Sequence, residues 1–196
     1  MEKEDEYHDN MVAMLELIWG EGYMAPGGSG SVAKMLHNLE TRGKRILDIG
    51  CGIGGPAIEM ASTFGADVVG IDLETSLVRR AEKSAEQHGL SDRCRFQTVE
   101  VGSLPFADCS FDIVVSAGAI TQTRDKEAIL SECFRVLQPG GYLSCYDWNR
   151  SDSDYSEDMY YWFKMEGLTY ALETLDDYAT HFRHCGFIDI ETQDAS

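Results

Sequence analysis

The passage RILDIGCGIGGPAIEM, residues 45–60, constrains the fold more than any other stretch of the chain. Five residues, apolar apart from Arg45 and Asp48, run straight into Gly50, Gly52 and Gly54, and Pro56 then opens a helix-forming run. A strand, a G-x-G-x-x-G turn and a helix in that order form one βα unit of a parallel sheet, with proline at the first helical turn, where its missing N–H costs nothing. The alternation continues. ADVVGID (66–72) reads as a second strand and ETSLVRRAEKSAEQHG (74–89) as an amphipathic helix stopped by Gly89. Strands are expected at 93–101, 111–120, 142–148 and 187–193, with helices over 56–64, 125–141 and 175–187. Strands alternating with helices give an α/β fold: a Rossmann-like, doubly wound, mostly parallel sheet with right-handed crossovers.

Such a sheet binds its ligand at the carboxyl ends of the strands. A dinucleotide and S-adenosylmethionine both suit that place, and Asp48 bears on the choice. Its carboxylate repels a pyrophosphate but attracts, directly or through water, the ammonium of a methionine moiety. At about 4 Å and an effective dielectric of about 20 that attraction is about 4 kcal/mol before desolvation. Asp72, closing the second strand, can accept from ribose hydroxyls of either ligand. Glu100, at the end of the third, can accept from an adenine amino group, with Val101 packing on the ring. Cys51 lies in the loop itself, where a small residue fits a crowded turn.

The net charge of −18 disfavours a phosphate backbone as partner, so no nucleic acid is expected. No apolar run approaches the length of a membrane span, and the acidic start MEKEDEYHDN lacks the features of a secretion signal. Six scattered cysteines without a C-x-x-C pair suggest reduced thiols, no metal and a cytoplasmic location.

Four segments in order, ILDIGCGIGG, VVGIDL, LPFADCSFDIVVS and RVLQPGGYL, resemble a class I S-adenosylmethionine-dependent methyltransferase over residues 45–145. The resemblance implies S-adenosylmethionine as cofactor, S-adenosylhomocysteine as product, and Asp48, Gly50, Cys51, Gly52, Gly54, Asp72, Leu73, Glu100, Val101 and Ser116 around it. YHDNMVAMLELIWGEGYMAPGG (7–28) is similar to the lid of small-molecule N-methyltransferases, nearest to the phosphoethanolamine and the sarcosine–dimethylglycine enzymes. It implies a helical lid over residues 1–30 on a cofactor domain of 31–196, with Tyr7 closing over the site and Trp19 and Tyr23 near the acceptor.

Two departures narrow the acceptor. Where the phosphoethanolamine enzymes carry a histidine after the fourth strand, SAGAITQT has Gln122, which orients but does not titrate. Where they hold phosphate with an arginine, KMEGLTYAL (164–172) offers only Lys164. Tyr7, Gln122 and Asp147 are the candidate catalytic groups. His8 reads as a solvated surface residue. Trp148 and Tyr170, with Tyr155, Tyr160, Tyr161 and Trp162, could face a methylated ammonium at about 0.5–2 kcal/mol per ring. Tyr160 and Tyr161 read individually as helix core, and Met11, Met14, Leu15 and Ile18 as an apolar helix face. The expected acceptor is a small-molecule amine of betaine or choline type. Alternatives are a thiol, hydroxyl or lipid head group, or a non-catalytic cofactor-binding subunit. The family ends with a seventh, antiparallel strand between the fifth and sixth. Without it the fifth strand keeps an open edge through which a homodimer could form.

Overall fold

The computed structural model describes residues 7–166 and 170–194. Its framework is a five-stranded, all-parallel sheet in the order β3-β2-β1-β4-β5. The strands are β1 (Arg45–Ile49), β2 (Asp67–Asp72), β3 (Cys94–Thr98), β4 (Phe111–Ala117) and β5 (Leu137–Tyr146). Helices α1 (Asp9–Trp19), α2 (Ser29–Met35), α3 (Gly55–Ser62), α4 (Thr75–Gln87), α5 (Lys126–Val136), α6 (Glu157–Glu166) and α7 (Leu175–His184) complete the element order.

Strand alternation sorts the core into two layers, because successive side chains point to opposite faces. Ile46, Val68, Ile113 and Val115 pack with Val32, Ala57, Met60 and Ala85 of α2, α3 and α4. Leu47, Ile49, Ile71 and Val114 face the other way, onto Cys133 and Val136 of α5. Helix α7 covers α5 through Tyr178, which packs with Ile120 and Leu130. Its start is a capping box: Thr174 and Asp177 each bond the other's backbone N–H. Thr174→Ala should cost about 1 kcal/mol, lowering the thermal midpoint by about 2–4 °C in a melt of a chain this size.

Several expected boundaries move. The helix over 125–141 ends at Val136, because Leu137 already pairs with Phe111 in the ladder. The ladder is irregular between Phe111 and Ile113, so the Gln138–Gly141 stretch, Pro139 included, is absorbed within β5 on the outer edge. Proline is tolerated there because an edge N–H needs no partner. Strand β4 stops at Ala117 and gives way to a 3-10 turn, Ile120–Gln122. Strand β3 stops at Thr98, two residues short of Glu100.

The sixth strand expected over 187–193 is absent. A strand exists through its ladder, and none of the five strands pairs with this segment. Phe187 instead packs edge-on against Phe134 and Phe182, and Ile188 is exposed. Among the described residues the far edge of β5 is unpaired. No helix among them is long and apolar enough to cross a membrane, and no His/Cys/Asp/Glu group could hold a metal ion.

Candidate active site

Strand order reverses between β1 and β4, so the turns leaving these neighbours open a crevice at their carboxyl ends. The turn after β1 carries the glycines. Gly50 has φ +72°, and a Cβ there would lie 2.2 Å from the Ala119 Cβ, so only glycine lets the two turns pass. The Gly50 and Cys51 amides donate to the Ile71 carbonyl at 2.9 and 3.0 Å, pinning the loop to the end of β2. Asp72 accepts from the Gly52 amide at 2.9 Å and from the Glu74 amide at 3.0 Å.

Asp48 is 1 % exposed, and its Oδ2 has no hydrogen-bond partner among the described residues. Burial, reinforced by the Asp72 charge, pushes its carboxyl up to about 7. Burial also raises Asp72, against the opposing amides of Glu74, Gly52 and Leu73. The Cys51 thiol is raised well above its usual range by burial. Ser116, on β4, is buried with its hydroxyl unpartnered. Polar groups enclosed without partners are rare; two at the carboxyl ends of adjacent strands suit a polar ligand group entering the crevice. Beyond β2 and β3 the surface changes character: Leu73 is half exposed, Glu100 is exposed and Val101 is 87 % exposed.

The chain segment after α1 crosses this loop. The Gly55 amide donates to the Gly22 carbonyl at 3.1 Å, and the Gly22 amide to the Glu16 carboxylate at 2.8 Å. Tyr23 gives its hydroxyl proton to the Glu59 carboxylate, and burial with that bond raises its pKa. Between the segment and the loop a space of ≈ 30 Å³ remains, lined by Tyr23, Met24, Gly50, Cys51 and Gly52 among others. Tyr23 therefore sits over the glycines, apart from the tryptophans.

A larger cavity of ≈ 320 Å³ lies between α1 and the ends of β4 and β5. Met11, Met14, Leu15, Ile18 and Trp19 form one wall, and Tyr7, Gly118, Gln122, Trp148, Trp162 and Tyr170 contribute the rest with Met24, Ala25 and Pro26. The apolar face of α1 thus fronts a cavity, and its one buried residue is Val12. The Gln122 amide donates to the Tyr7 hydroxyl at 3.1 Å, joining residues 115 apart in sequence. Trp162 stacks on Tyr170 with ring centres 5.1 Å apart and meets Trp148 edge-on at 5.9 Å.

Asp147 does not line this cavity. Both carboxylate oxygens are enclosed, without a hydrogen-bond partner among the described residues, and face the backbone of Thr121 and Gly118, the Lys126 ammonium and the Tyr178 hydroxyl. Burial raises its carboxyl to about 7. His8 proves to be the N-cap of α1, its ring accepting from the Met11 amide. Tyr160 and Tyr161 are exposed rather than core. Sequence reasoning gave Trp162 only as one of a run of aromatics and did not single out Lys126. A lysine opening an apolar-spaced helix gives no sign of burial, and Trp162 stands in an unbroken aromatic run that marks no single helix face.

A doubly wound sheet with an acid-flanked glycine turn beside an aromatic cavity is the arrangement of adenosine-binding α/β folds. The sequence pattern of the methyltransferase-domain family matches residues 40–185, and the chain belongs to that family. Over 96 % of its length it is 31 % identical to phosphoethanolamine N-methyltransferase 1 of Triticum aestivum, spanning 37 % of that protein. The structure superposes on Haemonchus contortus phosphoethanolamine N-methyltransferase 2 in complex with S-adenosyl-L-methionine, with a TM-score of 0.89 and 29 % identity over 98 % of this chain and 44 % of that one. The same enzyme with phosphomonomethylethanolamine and S-adenosylhomocysteine gives a TM-score of 0.87 at 30 % identity, covering 95 % of this chain and 43 % of that one. The chain thus spans about two fifths of the length of these relatives.

Proposed function

We propose that the chain is an S-adenosylmethionine-dependent methyltransferase that methylates a small-molecule amine. The observation that carries this reading is the enclosed Asp48 carboxylate beside the Gly50–Gly54 turn, whose Oδ2 has no hydrogen-bond partner among the described residues. A cationic methionyl group satisfies it, and a pyrophosphate would meet two carboxylates, Asp48 and Asp72. Relatives named for phosphoethanolamine methylation, and solved with this cofactor, support the same reading.

Asp48 would hold the methionyl end, Asp72 the ribose, and Leu73, Glu100 and Val101 the adenine. The cofactor supplies an activated methyl group, so the chain's own task is alignment, worth in principle about 7–11 kcal/mol. Trp19, Trp148, Trp162 and Tyr170 would hold an amine against their faces, and the Tyr7–Gln122 pair would orient it. The gap of ≈ 30 Å³ over the glycines is about one water's space. Residues 1–30 would therefore act as a lid on a cofactor domain of 31–196, and the Gly22–Met24 stretch must lift for the cofactor to enter. A cytoplasmic enzyme that pairs with a second copy through the open edge of β5 fits this reading, and its six cysteines are all free.

The test combines calorimetry with S-adenosylhomocysteine and product masses from methyl-labelled S-adenosylmethionine. The acceptor panel contains phosphoethanolamine, ethanolamine, glycine, sarcosine and dimethylglycine. Binding with transfer to an amine is the expected outcome. Binding without transfer to any of them would favour a cofactor-binding subunit, and no binding would overturn the assignment.

A further inference from the structure

Lys126 is the first residue of α5, and it is 1 % exposed. Both facts run against expectation. A cation at a helix N-terminus opposes the helix dipole, and a lysine is almost never fully buried unless paired. Its ammonium is committed to two backbone carbonyls, Thr123 at 2.9 Å and Ala171 at 2.6 Å. The Tyr178 ring lies beneath it at 5.4 Å. Asp147 and Glu173 supply negative charge from β5's end and from the segment before α7.

The two carbonyls are placed informatively. Thr123 follows Gln122, and Ala171 follows Tyr170, so each is one residue from a wall of the large cavity. The same node is cross-tied: the Ala171 amide donates to the Thr121 carbonyl at 2.8 Å, and the Thr121 hydroxyl to the Trp148 carbonyl at 3.2 Å. Two segments distant in sequence thus meet on one buried ammonium, and a third, at Trp148, is tied to them through Thr121; each delivers cavity side chains. None of these atoms belongs to the glycine turn or to Asp72.

We propose that Lys126 is a positioning residue for the acceptor: by clasping the Thr123 and Ala171 carbonyls it fixes Gln122 and Tyr170 relative to each other and so sets acceptor affinity without touching acceptor or cofactor. The proposal rests on the reading that the large cavity holds the acceptor. Lysine suits the task because its three donors radiate from one point. Methionine keeps much of the length and apolar bulk and removes the donors; glutamine keeps donors but on a shorter arm.

The experiment compares Lys126→Met and Lys126→Gln with the wild type by acceptor KM, kcat, S-adenosylhomocysteine affinity and residue-resolved amide hydrogen exchange. In Lys126→Met the acceptor KM should rise about tenfold or more, because sub-ångström misplacement of a positioning group is enough for such losses. Cofactor affinity should stay within about twofold, the signature of lost acceptor binding alone. Exchange at Ala171 and across 118–123 should quicken while residues 46–52 keep their protection, since local openings report local ties. Lys126→Gln should fall between. An unchanged KM, or cofactor affinity falling in parallel with it, would overturn the proposal. So would failure of both variants to fold, which would make Lys126 a scaffold residue. If the wild type transfers no methyl group, the functional reading falls, and the exchange data still judge the clasp: unchanged protection at Ala171 overturns it.

Discussion

Replacing Asp48 by asparagine is expected to stabilise the ligand-free chain at pH 8 while weakening cofactor binding. The folded chain holds this carboxyl at about 7, against 3.8 for the free group, chiefly through burial. Between those values the native state binds more protons than the unfolded state. The Asp48 contribution to stability therefore falls as pH rises from about 4 to about 7 and is level above that. The whole rise corresponds to about 4 kcal/mol. Asparagine has no charge to desolvate, so Asp48→Asn should gain about 2–4 kcal/mol at pH 8 and almost nothing at pH 4. The difference between variant and wild type isolates this group. Asp147 contributes a slope of the same sign, and His181, raised by its bond to Glu127, loses its contribution as pH rises through its folded value. Both are common to the two proteins. Urea unfolding of each at several pH values gives the comparison; equal stability at pH 8 would contradict it. The same substitution removes the charge facing the methionyl group, so affinity for S-adenosylhomocysteine should drop. Stability and function pull in opposite directions at one buried atom, as expected where a site is preorganised for an absent charge.

Gly52→Leu is expected to abolish cofactor binding without unfolding the chain. Gly52 has φ +53°, a conformation that costs a non-glycine residue about 1–2 kcal/mol. The nearest atom to a new Cβ is the Met24 Sδ at 3.2 Å, the end of a flexible side chain that can yield. The remaining leucine atoms then fill the narrow space that the methionyl end needs. Affinity for S-adenosylhomocysteine should fall by at least about a hundredfold, or about 2.8 kcal/mol. Calorimetry reads the affinity, and a melt confirms the fold. Retained affinity would remove the glycine turn from the cofactor site.

The sequence made the cofactor half of the sheet legible because every relevant signal there is local. A strand, its acid, its glycines and the helix behind them lie within sixteen residues, and β1, β2 and α4 fall where their periodicity puts them. The acceptor half is assembled by contacts between distant segments. Tyr7 meets Gln122 across the chain; the family resemblance named both residues, but no local pattern near either announces the pair. Trp148 was legible because it follows a strand; Trp162 was not, because it stands in an unbroken aromatic run, residues 160–163, that marks no single helix face, and the fold leaves Tyr160 and Tyr161 exposed. Asp147 shows the opposite failure. Its place at a strand's carboxyl end suggested a reactive group, yet its side chain turns inward to the Lys126 node. The seven residues of FIDIETQ read like a strand, but alternation describes a face, and a ladder needs a neighbour.

The chain's three tryptophans, Trp19, Trp148 and Trp162, all line the large cavity. Intrinsic emission excited at the indole band therefore comes entirely from that cavity's walls. A molecule filling it should displace solvent from these indoles together and shift the emission maximum. If the proposed reading of this cavity holds, the protein carries a built-in optical gauge of its occupancy, readable without label or turnover, and able to rank candidate amines before any product is sought.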